Sequence, residues 1–201
     1  DETMRMVGGW FIIRLSFQDR KYVEETNQLI EDGVMYRRLA ADVAARSITQ
    51  EEYRDRAEQM LICFFNDEDK HVRQQASHVF REIAPNEFSQ FTSLAWAYMN
   101  SRSFMIDGSY AFFDALEKAT CPTCELVIST AERIVSDLSK DGQTGGLLRD
   151  LHHLKDFLKR EYTASENNPE LRKRLLDVID RMLEREFYGT NEILKAHERG
   201  A

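Results

Sequence analysis

Phe64-Phe65-Asn66-Asp67-Glu68-Asp69-Lys70-His71-Val72-Arg73-Gln74-Gln75-Ala76-Ser77-His78-Val79 is the stretch that decides the fold. Two apolar residues close one helix, an asparagine and three acids break the chain, and Val72, Ala76 and Val79 then share one face of the next helix. Asp67 and Asp69 stand where carboxylates cap a helix start and favour its positive end. Arg73 falls off the apolar stripe near the first turn, within reach of an acid on a neighbouring repeat. The small Ala76 in the middle of the stripe lets a paired helix approach closely.

The pattern recurs. Tyr36-Arg37-Arg38-Leu39-Ala40-Ala41-Asp42-Val43 stands 36 residues earlier with the same order: apolar, Arg, two variable, Ala, small, polar, Val. Leu171-Arg172-Lys173-Arg174-Leu175-Leu176-Asp177-Val178 is a further copy in which leucines replace the alanine and the small residue. Recurrence of this kind is the mark of stacked helix pairs that bury their faces on one another. Arg37, Arg73 and Arg172, with Asp67 and Asp69, are the expected inter-repeat pairs.

Working outward, the apolar spacing is helical nearly everywhere. Val7 to Phe17 is apolar enough for a buried helix. Tyr22, Val23, Leu29 and Ile30 mark a second, which Gly33 ends as a glycine past a helix C-terminus does. Thr49 and Glu52 have capping-box spacing ahead of Tyr53, Ala57, Met60, Leu61 and Phe64. Pro85 stops the helix that holds Val79 and Ile83. Phe88 to Asn100 is rich in aromatics, Asp107-Gly108-Ser109 is a turn, and Pro122 suits a first helical turn. Asp141 to Gly146 is a loop, Leu147 to Leu158 an amphipathic helix, and Asn167-Asn168-Pro169 opens another. A short helix from Asn191 to Ala196 closes the chain. The fold expected is all-α: a HEAT-like α-solenoid of about five antiparallel helix pairs, about eleven helices, in one helical-repeat domain over 1–201. Its possible subdivisions are 1–84, 85–146 and 147–201. Only three prolines and nine glycines punctuate 201 residues, too few corners for a β-sandwich.

The run from Phe64 to Ala76 resembles a HEAT repeat junction, which has two apolar residues, a short Asp-containing turn, and then Val-Arg and a small residue. Residues 85–146 depart from the pattern and lack the Val-Arg pair. More broadly, that junction together with Leu175-Leu176-Asp177-Val178-Ile179-Asp180-Arg181-Met182-Leu183 and Phe187-Tyr188-Gly189 resembles the C-terminal helical region of large bacterial NACHT or STAND-type NTPases, many of which serve in antiphage defence. The resemblance implies a sensor or regulatory segment, with any ATPase module upstream of Asp1. The chain opens Asp1-Glu2-Thr3 without a methionine and reads as the C-terminal fragment of a longer one.

Charge and chemistry narrow the function classes. The net charge is −8: −4 over residues 1–84, −4 over 85–146 and zero over 147–201. No segment is basic, which disfavours a broad nucleic-acid surface or a base-repair enzyme, although Arg172, Lys173 and Arg174 leave room for a local strip. Three cysteines build no disulfide framework and suggest a cytoplasmic setting. No apolar run approaches the ~18 residues that span a bilayer.

Cys121-Pro122-Thr123-Cys124 has the spacing of a redox pair or half a zinc site, but it lacks the βαβ setting of the first and the further ligands of the second. It reads as a helix start with two small thiols. Gly142 to Gly146 has no lysine behind it and is a loop, not a phosphate cradle. His152 and His153 point in different directions; His71 and His78 share a helix face without metalloprotease spacing. No catalytic residue, cofactor or metal is therefore expected. The partner expected is a protein, or upstream domains of the same chain. Trp96, Tyr98 and Phe104 are the aromatic candidates for its contact, set against a role in the core.

Overall fold

The computed structural model describes residues 2–104, 106–107, 109–120, 124–141 and 158–184, and no strand occurs among them. Cys121 to Thr123, the loop and helix expected over 142–157, and the Phe187-Tyr188-Gly189 run with the last short helix lie outside the described residues.

The helices are α1 (Glu2–Gln18), α2 (Val23–Asp32), α3 (Val34–Ser47), α4 (Arg54–Phe64), α5 (Lys70–Ser77), α6 (Val79–Glu82), α7 (Thr92–Met99), α8 (Tyr110–Lys118) and α9 (Cys124–Asp141). Residues 158–164 are helical and are called α10. The last described helix is α11 (Pro169–Glu184), and short 3-10 turns precede α2, α4, α7 and α11. The chain forms two compact units, residues 1–84 with 96–112, and residues 85–95 with 113–201.

In the first unit α3 is the hub, packing on α1, α2, α4, α5 and α6. Its alanines explain why: Ala40, Ala41, Ala44 and Ala45 are all buried, and small side chains let helices approach on several sides. Contacts along the helices give their directions. Gly9, midway along α1, lies against the ring of Tyr36 in the first turn of α3, and the ring of Phe17 in the last turn of α1 meets that of Tyr53, past the end of α3, with centroids 6.0 Å apart. From α3 to α5, Arg37 meets Asp67 at 2.8 Å and Asp42 accepts from Gln75 at 2.9 Å, so both partners advance together. Thus α1, α3 and α5 run in one direction, while α4 returns from Arg56, beside Ser16, to Asp67, beside Arg37.

An aromatic cluster fills the space beyond α5. Tyr98 is fully buried and lies 5.0 Å from both Phe65 and Phe80, with Phe112 and Phe104 completing the set. In the second unit α9 packs on α11; Leu126, Ala131, Ile134 and Val135 of the first and Leu175, Val178, Ile179 and Met182 of the second are buried. Arg160 of α10 donates to the carbonyls of Leu116 (3.0 Å) and Glu117 (2.7 Å), satisfying two acceptors that the end of α8 leaves open.

Several local expectations change. Helix α1 exists, but it is not a buried helix: Met4, Val7 and Phe11 are exposed, and only Gly9, Ile13 and Ser16 are buried, because α2 and α3 cover one side of it. The capping box at Thr49 does not form. Helix α4 begins at Arg54 after a 3-10 turn over Glu51–Tyr53, and neither Gln50 nor Tyr53 makes a side-chain cap. Gly33 joins α2 to α3 in extended backbone, not in the left-handed C-cap conformation. Asn168 and Pro169 open α11 as expected, the asparagine oxygen accepting from Leu171 N at 3.2 Å.

Candidate binding groove

Of the residues expected to pair between repeats, Arg37 and Arg73 stand on two of the helices that carry the groove. Arg37 and Arg73 are each the fourth residue of their helix, α3 and α5. Asp67 and Asp107 each stand three residues before a helix start, α5 and α8. Arg37 Nε lies 2.8 Å from Asp67 Oδ2 as an ion pair without an aligned hydrogen bond. Arg73 grips Asp107 with two donors, Nε and Nη2, the latter at 3.0 Å, and both side chains are buried. Its third nitrogen donates to the carbonyls of Asp67 (2.7 Å) and Glu68 (2.9 Å), so one guanidinium ties its own turn to the next. Asp69 caps α5, accepting from His71 N at 2.8 Å and Val72 N at 3.2 Å.

Asp107 escaped the sequence reading because residues 85–146 lack Val-Arg. The available signal was its distance from the following helix, the same as that of Asp67. Arg172 departs from its expected role: it stacks on Tyr162 at 4.5 Å and donates to its hydroxyl at 3.0 Å. Arg174, two residues on, pairs α11 with α9 by holding Glu132 (2.7 and 2.8 Å) and Glu125 (2.6 Å). Two carboxylates around one guanidinium hold its proton more firmly than usual, Glu132 being the larger influence.

Tyr98 and Phe104 are corrected as contact candidates. Both are core residues, 0% and 2% exposed, because the helical spacing that made them conspicuous turns them inward. Trp96 is half-buried.

The surface that the first unit offers instead is a chain of three hollows. The first, about 320 Å³, lies between the later turns of α1 and α3 and is walled by Trp10, Phe17 and Tyr53, with Arg14 stacked 5.2 Å from the Trp10 ring. The second, about 270 Å³, is apolar at Met6, Met35 and Leu39. The third, about 340 Å³, lies where α3, α5, α6 and α8 meet and brings together Arg38, His71, His78, Arg81 and Tyr110. Asp42 lines both the first and second; Arg38 and Gln75 line both the second and third. The hollows therefore adjoin across successive helices.

The charge of the groove is opposite to that of the chain. Asp42 is held by Arg46 at 3.1 Å and by Gln75, and Asp107 is locked to Arg73. Arg38 and Arg81 are exposed, with His71 and His78 beside them. Burial holds the His78 pKa below the usual histidine range, and Arg81 lowers it further, against the weaker pull of Asp42 and Glu82. Ser77, in the same hollow, spends its hydroxyl on the Gln74 carbonyl at 2.7 Å and is not aimed at a histidine. Among the described residues no group of three or more His, Cys, Asp or Glu side chains is placed to hold a metal ion, and no helix is long and apolar enough to cross a membrane. No protein-family model, curated protein or solved structure matches the chain.

Proposed function

We propose that this chain is a non-catalytic recognition module of helical repeats, a short solenoid whose groove across α1, α3 and α5 contacts a protein. The observation that carries the reading is the groove itself: three hollows joined through Asp42, Arg38 and Gln75 along helices that run in one direction. Successive repeats of one orientation support a stacked architecture, and such stacks present extended surfaces to partners. The Arg37–Asp67 and Arg73–Asp107 pairs support the same reading, since each ties a helix to the turn before a later one, α3 to that before α5 and α5 to that before α8.

In this proposal the module is the sensor-type C-terminal segment of a larger bacterial NTPase of the NACHT or STAND kind, engaged in antiphage defence, where ligand contact shifts the whole protein between inactive and oligomerising states. The resemblance of the Leu175 to Leu183 run and the junction at Asn66 to that region is its support; a freestanding scaffold is the alternative. A Walker-type loop encoded upstream of Asp1 in the same reading frame separates the two. Recognition itself is tested with a photo-crosslinking amino acid placed at Gln74 in the groove or at Gln59 on α4. A partner adduct from Gln74 and none from Gln59 is expected; equal labelling from both positions, or none from the groove, ends the reading.

A further inference from the structure

We propose that the groove takes an acidic segment of a partner protein, with an apolar side chain seated at Met6, Met35 and Leu39 and carboxylates laid over Arg38, Arg81, His71 and His78. The proposal rests on the recognition reading and adds the chemistry of the partner. Charge complementarity carries it. The chain has a net charge of −8, yet the third hollow gathers two arginines and two histidines, while Asp107, which lines it, is engaged by Arg73, and Asp42, in the adjoining hollow, by Arg46 and Gln75.

Shape adds the second element. The basic hollow shares Arg38 and Gln75 with the apolar one, so a segment lying across α3 meets a methionine and leucine surface next to a cationic one. A nucleic acid fits this less well. Counterion release needs a line of cations along a phosphate backbone, and here the positive groups converge on one hollow flanked by Met6, Met35 and Asp42. Desolvated arginine–carboxylate pairs fix register and partner sign more than they raise affinity, which suits a surface that selects one segment.

Proton linkage follows from the groups that face the histidines. His78 meets Asp42 from α3 and Arg81 and Glu82 from α6, with Arg38 and Tyr110 lining the same hollow; His71 meets Asp69 and Arg38. A carboxylate arriving beside His78 favours its charged imidazole, so binding takes up a proton and tightens as pH falls.

The test uses the full chain and short fluorescein-labelled peptides of Glu with Leu, Lys with Leu, and Glu with Ser, read by anisotropy and by amide NMR. The Glu–Leu peptide is expected to bind, with amide shifts on α3 and α5, and to bind more tightly at about pH 6 than at about pH 8. The double variant Arg38→Glu/Arg81→Glu, at two exposed positions, is expected to keep the circular-dichroism melt and to weaken binding at least about tenfold. The Glu–Ser peptide should bind more weakly, and the Lys–Leu peptide should not bind. Failure of the Glu–Leu peptide at about millimolar concentration, equal binding of the Lys–Leu peptide, or equal binding by the double variant overturns the proposal. So does a short DNA duplex that binds more tightly than the peptide and is lost on the same charge reversal. A partner adduct from Gln74 that persists in any of these cases leaves recognition standing and removes only the acidic partner.

Discussion

Two adjacent glycines separate what a methyl group does in open space from what it does in a packed contact. A Cβ added at Gly8 meets nothing within 4 Å, whereas at Gly9 it would lie 2.5 and 2.8 Å from carbons of the Tyr36 ring. Gly8→Ala therefore gains about 0.5–1 kcal/mol of helix propensity. Gly9→Ala forces the ring aside and is expected to cost about 1–3 kcal/mol net. Urea midpoints of the two variants should move in opposite directions; a rise in both would show that α1 and α3 are not in close contact there. His78 gives a second residue-scale expectation. Its folded pKa lies below the unfolded value of about 6.5, so the folded state prefers the neutral ring. Its contribution is present above that value and is lost as pH falls through it toward the folded pKa. From pH 7 to pH 5 the wild type should lose more stability than His78→Gln, read by urea melts at each pH; matching losses would reject the assignment.

At the scale of elements, the arginine ladder sets the register between helices, and its rungs are unequal. Arg73 and Asp107 are 6% and 4% exposed as side chains, against 25% and 10% for Arg37 and Asp67. Removing one member of a buried pair strands the other, so Arg73→Met is expected to cost about 3–5 kcal/mol, and Arg37→Met less. Joining Arg73→Met to Asp107→Leu should recover part of that loss, because the stranded carboxylate is gone; a double variant as unstable as the single one would mean that the carbonyls of Asp67 and Glu68, not Asp107, are what Arg73 serves. These elements differ in how far they could be read in the sequence. Helices with clear three- and four-residue spacing, such as α5 and α11, were legible from Val72 and Ala76 or Leu175, Val178 and Met182, although the run expected to continue through Val79 breaks at His78 into α5 and α6. The start of α4 was not, because Thr49 offers cap chemistry that the backbone bypasses with a 3-10 turn. Nor was the exposure of α1, since apolar density does not say how many sides neighbours cover. The groove was hidden for a different reason. Met6, Arg38, Gln75 and Tyr110 come from four helices, and no local pattern records that the fold sets them along one surface.

At the scale of the molecule, the first unit is discontinuous in sequence, which makes its integrity testable by truncation. It combines residues 1–84 with 96–112, so its core is closed by side chains that arrive after the chain has left for the second unit. Tyr98 and Phe112 cover Phe65 and Phe80, with Phe104 packed against both of them, and Ser103 N donates to the Phe65 carbonyl at 3.0 Å. Asp107 arrives with them and neutralises Arg73. A chain ended at Ala84 keeps α1 to α6 and the first ladder rung, but it uncovers Phe65 and Phe80, which are 0% and 2% exposed in the whole protein. Exposure of those two rings alone removes about 3–6 kcal/mol. Loss of the Arg73 partner adds to that, against a domain stability of about 5–15 kcal/mol. The fragment 1–84 is therefore expected to show helical circular dichroism with a broad melt and to bind a hydrophobic dye. The fragment 1–118 carries every residue of the first unit through the end of α8 and should melt cooperatively with little dye binding. Cooperative melting of 1–84 with the midpoint of 1–118 would mean that the aromatic cluster decorates the first unit without closing it. The helices that form the groove would then stand on their own neighbour contacts, each stacked on the last.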